Sequence, residues 1–306
     1  MTSLAAQLFG IIRRVPPPLR GMALMMFAAL LNMAMSAIAK SLVQELPVSE
    51  IVFFRQLFGT LLLAPLLLRS GGGAMRTNRL RLHFLRSLFN IVAILAYFTS
   101  LGLIPFAQVT SLGFTSPLFA SLLAVLVLGE AVRRPRVIGL VLGLAGALII
   151  LRPGVVEVGA GSLFALGSAA LWAAAMTCIK SLARTESSVA IAFYAALLQV
   201  PMALALAVFV WQWPTLAQLG QLLIISMIGT SAQVSLSQAF RDADSTVILP
   251  MDFTKLVWAS LLGYVIFAEI PDPWVWVGGV VVFSGVLWVA YSEGKRRPPA
   301  ADGRRA

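Results

Sequence analysis

The chain has 306 residues, 59% of them hydrophobic and only 11% charged, with a mean hydropathy of +0.92 and a net charge of +11. A soluble domain carries about 25% charged residues to keep its surface wetted, so a chain this apolar needs lipid around most of its surface and is not a pair of soluble domains. A single cysteine (Cys178) and a single histidine (His83) exclude an internal disulfide or a cysteine metal cluster and argue against a His-based metal site or a Ser/His triad; no cofactor or metal is expected.

Residues 1–20 lack the ordered regions of a secretory signal, so a short cytoplasmic segment without a targeting peptide is expected there. A spanning helix needs roughly 20 mostly apolar residues. Such stretches fall near 21–39, 48–68, 84–104, 106–128, 137–151, 162–180, 189–210, 220–240, 244–267 and 274–292. The fifth is short, and only a turn at Pro105 separates the third from the fourth. Residues 293–306 form a basic tail. The pattern predicts an all-α membrane protein of ten transmembrane helices.

The positive-inside rule tests that count. With the N-terminus in the cytoplasm, the inside segments hold eighteen Lys and Arg residues, from Arg13 and Arg14 through Arg76, Arg79, Arg133 and Arg134 to Arg305. The outside loops hold only Lys40 and Arg152, and Arg55, Arg86 and Lys255 fall inside spans. Both termini are therefore expected in the cytoplasm of a bacterial inner membrane. The basic loops lie against an anionic leaflet, where each cation contributes about 1 kcal/mol. With no exposed aromatics interleaved among them, they do not form a nucleic-acid patch.

Self-comparison reveals a collinear repeat. Ala120-Ser121-Leu122-Leu123 recurs as Ala259-Ser260-Leu261-Leu262. The same offset lays Glu130 on Glu269, Gly139 on Gly278 and Gly146 on Gly285. One residue further, Lys40-Ser41-Leu42 falls on Lys180-Ser181-Leu182, and Phe53-Phe54 on Phe193-Tyr194. Residues 21–154 and 160–292 thus read as two five-helix units. An odd number of spans sets the second upside-down relative to the first, as in inverted-repeat carriers with a midplane site.

The residues of these units resemble the EamA-type members of the drug/metabolite transporter superfamily over nearly the whole length. The resemblance rests on Phe53-Phe54-Arg55-Gln56, Phe84-Leu85-Arg86-Ser87, Thr115-Ser116-Pro117-Leu118-Phe119 running to Leu128-Gly129-Glu130, and Gly139 to Gly146 followed by Arg152-Pro153-Gly154. In the second half Ala239-Phe240-Arg241-Asp242-Ala243-Asp244, Pro250 and Ala268-Glu269 match the same pattern. The resemblance implies two inverted five-helix repeats with a solute path through a central cavity, and it is strongest to the branch of S-adenosylmethionine and riboflavin uptake carriers. It specifies architecture well and substrate poorly.

Ionisable groups inside spans are functional hypotheses by default. Asp252 and Lys255, three apart, share a helix face; counted from residue 244 they lie about 12 and 16 Å deep. Arg55 lies about 10 Å from the other end of its span. The three read either as a midplane site favouring a solute with an anionic group or as a structural pair fastening two helices. Asp252 is also the candidate for proton coupling. Glu50 and Arg86, near span ends, are expected to snorkel to the interface. Glu130 and Glu269 read as solvated helix ends or as gating groups. Pro117 and Pro250 interrupt their spans, making these the candidate bent, site-lining helices. Asn32, Tyr97, Phe114, Trp172 and Trp258 could offer hydrogen bonds and ring faces to a solute, although a lone aromatic in a span more often packs.

Trp211, Trp213, Trp274 and Trp276 read as an interfacial belt. The glycines of the fifth and tenth spans allow close helix approach, within the chain or in a homodimer. The expected partners are a small-molecule solute and the lipid bilayer. No ATP-binding loop occurs, so a secondary carrier is the leading expectation. The alternatives are a membrane-embedded enzyme, for which Asp242 and Asp244 are the only close carboxylate pair, and a non-transporting scaffold.

Overall fold

The computed structural model describes residues 16–69, 77–128, 134–153, 158–182, 185–186, 188–243 and 250–294. Within them the chain is helical, and each helix begins or ends where local chemistry requires. α1 (Pro17–Leu42) opens on prolines, whose missing N–H costs nothing in a first turn. α2 (Val48–Arg69) and α3 (Leu80–Leu103) follow. Pro105 then stops the chain and precedes α4 (Phe106–Gly113); after a turn at Phe114 and Thr115, α5 (Ser116–Leu128) resumes. α6 (Arg134–Leu151) and α7 (Ala160–Leu182) complete the middle of the chain.

α8 (Ser188–Ala207) contains Pro201 and tightens into a 3₁₀ turn at Val208–Val210. α9 (Leu216–Asp242) is started by a capping box in which Thr215 and Gln218 satisfy each other's backbone N–H. A helical turn at 250–252 leads into α10 (Thr254–Phe267), and α11 (Pro273–Gly294) closes the described chain. Taking α4 with α5 as one broken rod, the described residues form ten rods. Six stretches are each long and apolar enough to cross a membrane, the α4–α5 rod among them; α6 and α8 contribute shorter apolar ones.

The sequence expects the spans over 106–128 and 244–267 to be interrupted at Pro117 and Pro250, and among the described residues each break lies beside its proline rather than at it. The first breaks at Phe114–Thr115, three residues ahead of Pro117. Pro117 therefore occupies the second position of α5, where a proline is tolerated. The second has a turn at Phe253, between Pro250 and α10.

The rods run back and forth, so their ends form two faces. One carries the starts of α1, α3, α6 and α8 with Arg20, Arg79 and Arg134, and is called the basic face; the other is the opposite face. The largest helix–helix interfaces are α6 with α11, α3 with α7, and α1 with α9. Between α6 and α11, a Cβ at Gly146 would come 2.7 Å from the carbonyl oxygen of Gly278, and one at Gly285 2.9 Å from that of Gly139. These glycines let the two backbones touch within the chain. The interior is filled by Phe98, Phe106, Leu112, Leu222, Ile225 and Leu256 among others, while Leu126, Val141 and Val265 point outward, as lipid contact requires.

Several polar residues lie elsewhere than expected. His83, in the first turn of α3, is fully buried, because Glu186 meets its Nε2 at 3.0 Å and the Tyr194 ring covers it at 4.6 Å. Glu50 does not snorkel: it is fully buried and accepts the N–H of Gln212, since the segment after α8 folds over it. That segment also turns Trp211 inward against Phe53 and Phe54, at 5.8 and 5.7 Å, while Trp213 stays exposed. Arg86 is half-buried with Nε and Nη1 unpartnered, rather than extended to the interface.

Candidate functional site

A cavity of about 360 Å3 lies in the middle of the bundle, walled by α1, α2, α3, α4, α5, α7, α10 and α11. Sites for small organic molecules occupy roughly 300–1,000 Å3. The three embedded charges Arg55, Asp252 and Lys255 all border it. So do Asn32, Tyr97, Phe114 and Trp172, and Pro117 at the helix break. Pro250 is placed in the helical turn just before Asp252 and does not border the cavity; Trp258 packs against the core instead.

The broken rod shapes this space. Gly113, Phe114, Ser116 and Pro117 all line it, because the chain gives up its helix there. α1 offers Asn32 and Ser36, one turn apart on a single face. Asn32 donates its amide to Ala28 O at 2.8 Å, and Tyr97 donates its hydroxyl to Ser36 at 3.0 Å. Ser36, Thr110 and Ser168 were missed by sequence reasoning. All three stand four residues from a predicted lining residue, Ser36 from Asn32, Thr110 from Phe114 and Ser168 from Trp172, and that spacing is the signal that could have found them.

The charges are not equivalent. Asp252 and Lys255 form an ion pair at 2.6 Å along one helix edge. Asp252 Oδ1 makes no well-aligned hydrogen bond, so this contact is Coulombic in character. Arg55 has no acidic partner among the described residues. Its Nη1 donates to Gln56 Oε1 at 3.0 Å and its Nε has no partner. Gln56 in turn donates to Gln199 Oε1, which also accepts from Asn90 at 3.1 Å. A chain of amides through α2, α3 and α8 thus holds the Arg55 head in place. Phe114 and Phe283 line the same cavity, and with Phe253 their rings pack at 5.6, 5.7 and 4.7 Å between centroids, while Trp172 is 42% exposed at the cavity wall.

The two faces are tied by different polar groups. At the basic face Arg20 pairs with Asp242 at 2.6 Å, and Arg79 donates to Ser181 and Thr185. Asp242 is therefore engaged in a structural pair, and Asp244 lies outside the described residues. Glu186 takes hydrogen bonds from Thr77 and His83. Burial pushes its carboxyl up, but those two bonds and the nearby charges outweigh this and hold it below its ordinary range. At the opposite face Glu269 is not a solvated helix end: it pairs with Lys40 at 2.9 Å. Its repeat counterpart Glu130 lies outside the described residues.

The EamA-like transporter family matches residues 19–152 and 159–291, nearly the whole chain in two consecutive copies. The chain belongs to that family. Among its relatives, an S-adenosylmethionine uptake transporter of Rickettsia bellii is 29% identical over 80% of this chain and 84% of its own length. A riboflavin transporter of Rhizobium johnstonii is 33% identical over 83% and 85%. A pseudopaline exporter of Pseudomonas aeruginosa is 30% identical over 90% and 97%. One solved crystal structure shares the fold at a TM-score of 0.60 and 20% identity, covering 90% of this chain and 98% of that one. The EamA-like chain is thus a multi-pass membrane transporter of small metabolites, and the embedded-enzyme alternative falls, since the relatives are transporters by name.

Proposed function

We propose that this EamA-like chain is a secondary carrier that moves a small organic metabolite bearing an anionic group across the bacterial inner membrane by alternating access. The observation that carries the reading is the guanidinium of Arg55, without an acidic partner among the described residues, in a cavity where Asp252 and Lys255 already neutralise each other. An embedded cation without an acid is costly, and a carboxylate or other anionic group on the solute removes that cost with two parallel hydrogen bonds. The aromatic wall of Phe114, Phe283 and Trp172 suits a flat or apolar remainder. The three relatives named above differ in solute, and two are named for uptake or export in opposite directions, so neither the metabolite nor the direction carries over from them.

Alternating access follows from two halves of opposite orientation, with residues 21–154 and 160–292 as the units and the basic face in the cytoplasm with both termini. Two observations support the inversion. Exchanging each rod for its counterpart turns the α3–α7 interface into α9–α1, and α6–α11 into itself. Gly21 is pressed against Ala243, and Gly161, 140 residues on, against Leu103, itself 140 residues before Ala243.

The test is uptake into proteoliposomes with a panel of amino acids, S-adenosylmethionine, riboflavin and organic anions. Parent, Asp252→Asn and Lys255→Ala are compared. Selective loss of the anionic solutes is expected in Lys255→Ala. If both variants carry every active solute at the parental rate, the cavity is not the site. Tags placed near Arg76 and Arg134 are expected on the same side of the membrane; opposite sides would overturn the inverted halves.

A further inference from the structure

The helix interfaces group much of the bundle into two sets, which also touch directly where α4 meets α10 and α1 meets α3. α7 packs on α3, α4 and α5; α1 packs on α9 and α10. At the basic face, the Arg20–Asp242 pair lies within the second set, and the Arg79, Thr77 and His83 bonds join α3 to the end of α7 within the first. One cluster at the opposite face bridges the sets. Lys40, at the end of α1 and only 7% exposed, donates to Leu101 O at 2.6 Å and Ile104 O at 3.0 Å, and pairs with Glu269 at 2.9 Å. An ammonium has three donors; two are taken by these carbonyls, and the contact with Glu269 is an ion pair. Glu269 uses its second oxygen to accept the Phe106 N–H at 2.8 Å, at the start of α4. The cluster therefore ties α1 and α10 to the junction of α3 and α4.

Its position relative to the cavity is what gives it a function. Lys40, Ser36 and Asn32 are spaced by four on α1 and stack on one face. Ser36 and Asn32 line the cavity, and Ser36 is bound by Tyr97 directly beneath Lys40. The cluster is thus a lid over the cavity on that side. Its acid arm is held under strain: Ala268 turns the chain back at φ 54, a left-handed conformation that disfavours any side chain. This turn ends α10 by bonding Ala268 and Glu269 to Tyr264 O and Gly263 O. Backbone strain of this kind is maintained where surrounding contacts over-determine it.

We propose that Lys40 and Glu269 form the latch of the outer gate: while they are joined the cavity is shut toward the outside, and parting them opens it. The inference rests on the transport reading above. Glutamate suits the task because it has two acceptor oxygens, one for Lys40 and one for Phe106. Glutamine has only one, so Glu269→Gln keeps the shape and must leave one partner unmet.

The test uses the full chain with Cys178→Ser and a single reporter, Ser168→Cys, in the cavity wall. Labelling by the membrane-impermeant reagent MTSET is timed from outside in right-side-out vesicles and from the cytoplasmic side in inverted ones. Glu269→Gln and Lys40→Met are each expected to speed labelling from outside by about tenfold, the scale of one lost charge-assisted hydrogen bond. Labelling from the cytoplasmic side should slow in step. If Lys40→Met fails to accumulate in the membrane, the isosteric Glu269→Gln carries the test. Unchanged outside labelling in Glu269→Gln, with the cytoplasmic rate intact, overturns the latch and leaves the carrier reading standing. No labelling from either side in any variant overturns both, because the cavity would then not be a route.

Discussion

Arg55 offers the sharpest quantitative handle on the solute. Its Nη1 is spent on Gln56, which leaves the edge formed by Nε and Nη2. That edge carries two parallel donors, matched to a carboxylate. Arg55→Lys keeps the charge but replaces the fork by a point donor, removing one of the two bonds. A hydrogen bond to a charged group is worth about 1.5–3 kcal/mol. Arg55 is only half-buried, so the lower end applies. The KM for the anionic solute should therefore rise roughly tenfold. Arg55→Met removes both bonds and the charge, and should cost more.

The assay is initial-rate uptake in proteoliposomes over a range of concentrations, for the anionic solute and for its neutral amide. The amide should show nearly the same KM in parent and variants. The reasoning fails if Arg55→Lys leaves the KM of the anion unchanged, or if both solutes weaken equally, since that would mark a general loss of shape.

Two further outcomes follow from packing and charge. Gly146→Ala puts a Cβ against backbone atoms of Gly278 and Val282, at 2.7 Å, so α6 and α11 must separate at a cost of about 1–3 kcal/mol. Thermal unfolding in detergent should fall by several degrees, whereas Gly167→Ala, with nothing within 4 Å, should hold or gain; equal effects would refute the close approach. Glu186 has a carboxyl held below its ordinary 4.5. A depressed acid stabilises the fold fully above its unfolded pKa and loses that contribution as pH falls through the folded value. The parent should lose stability below about pH 4.5 by more than Glu186→Gln does; parallel curves would refute the assignment.

Composition and hydropathy were enough to place the rods, because lipid tolerates so few backbone arrangements. The chosen charges were legible for the same reason: Arg55, Asp252 and Lys255 stand out in apolar spans, and all three border the cavity. What was not legible involves backbone partners. Lys40 was counted as a loop cation, since its acceptors at Leu101 and Ile104 are main-chain carbonyls that leave no trace in residue type. Glu50 was expected at the interface for the same reason, its partner being the N–H of Gln212. Trp258 was grouped with the lining aromatics, yet packs into the core, because periodicity gives a face of a helix without saying which neighbour that face meets.

The interruption between α4 and α5 has a consequence for hydration. Most amide protons at this depth are locked in helical ladders and shielded by hydrocarbon. At Phe114 and Thr115 the ladder is replaced by short bonds to Ser111 O and Leu112 O, beside an open space. Deuterium should therefore enter this segment far sooner than the flanking rods. Polar groups of a permeating molecule would meet there a backbone that no continuous helical ladder seals.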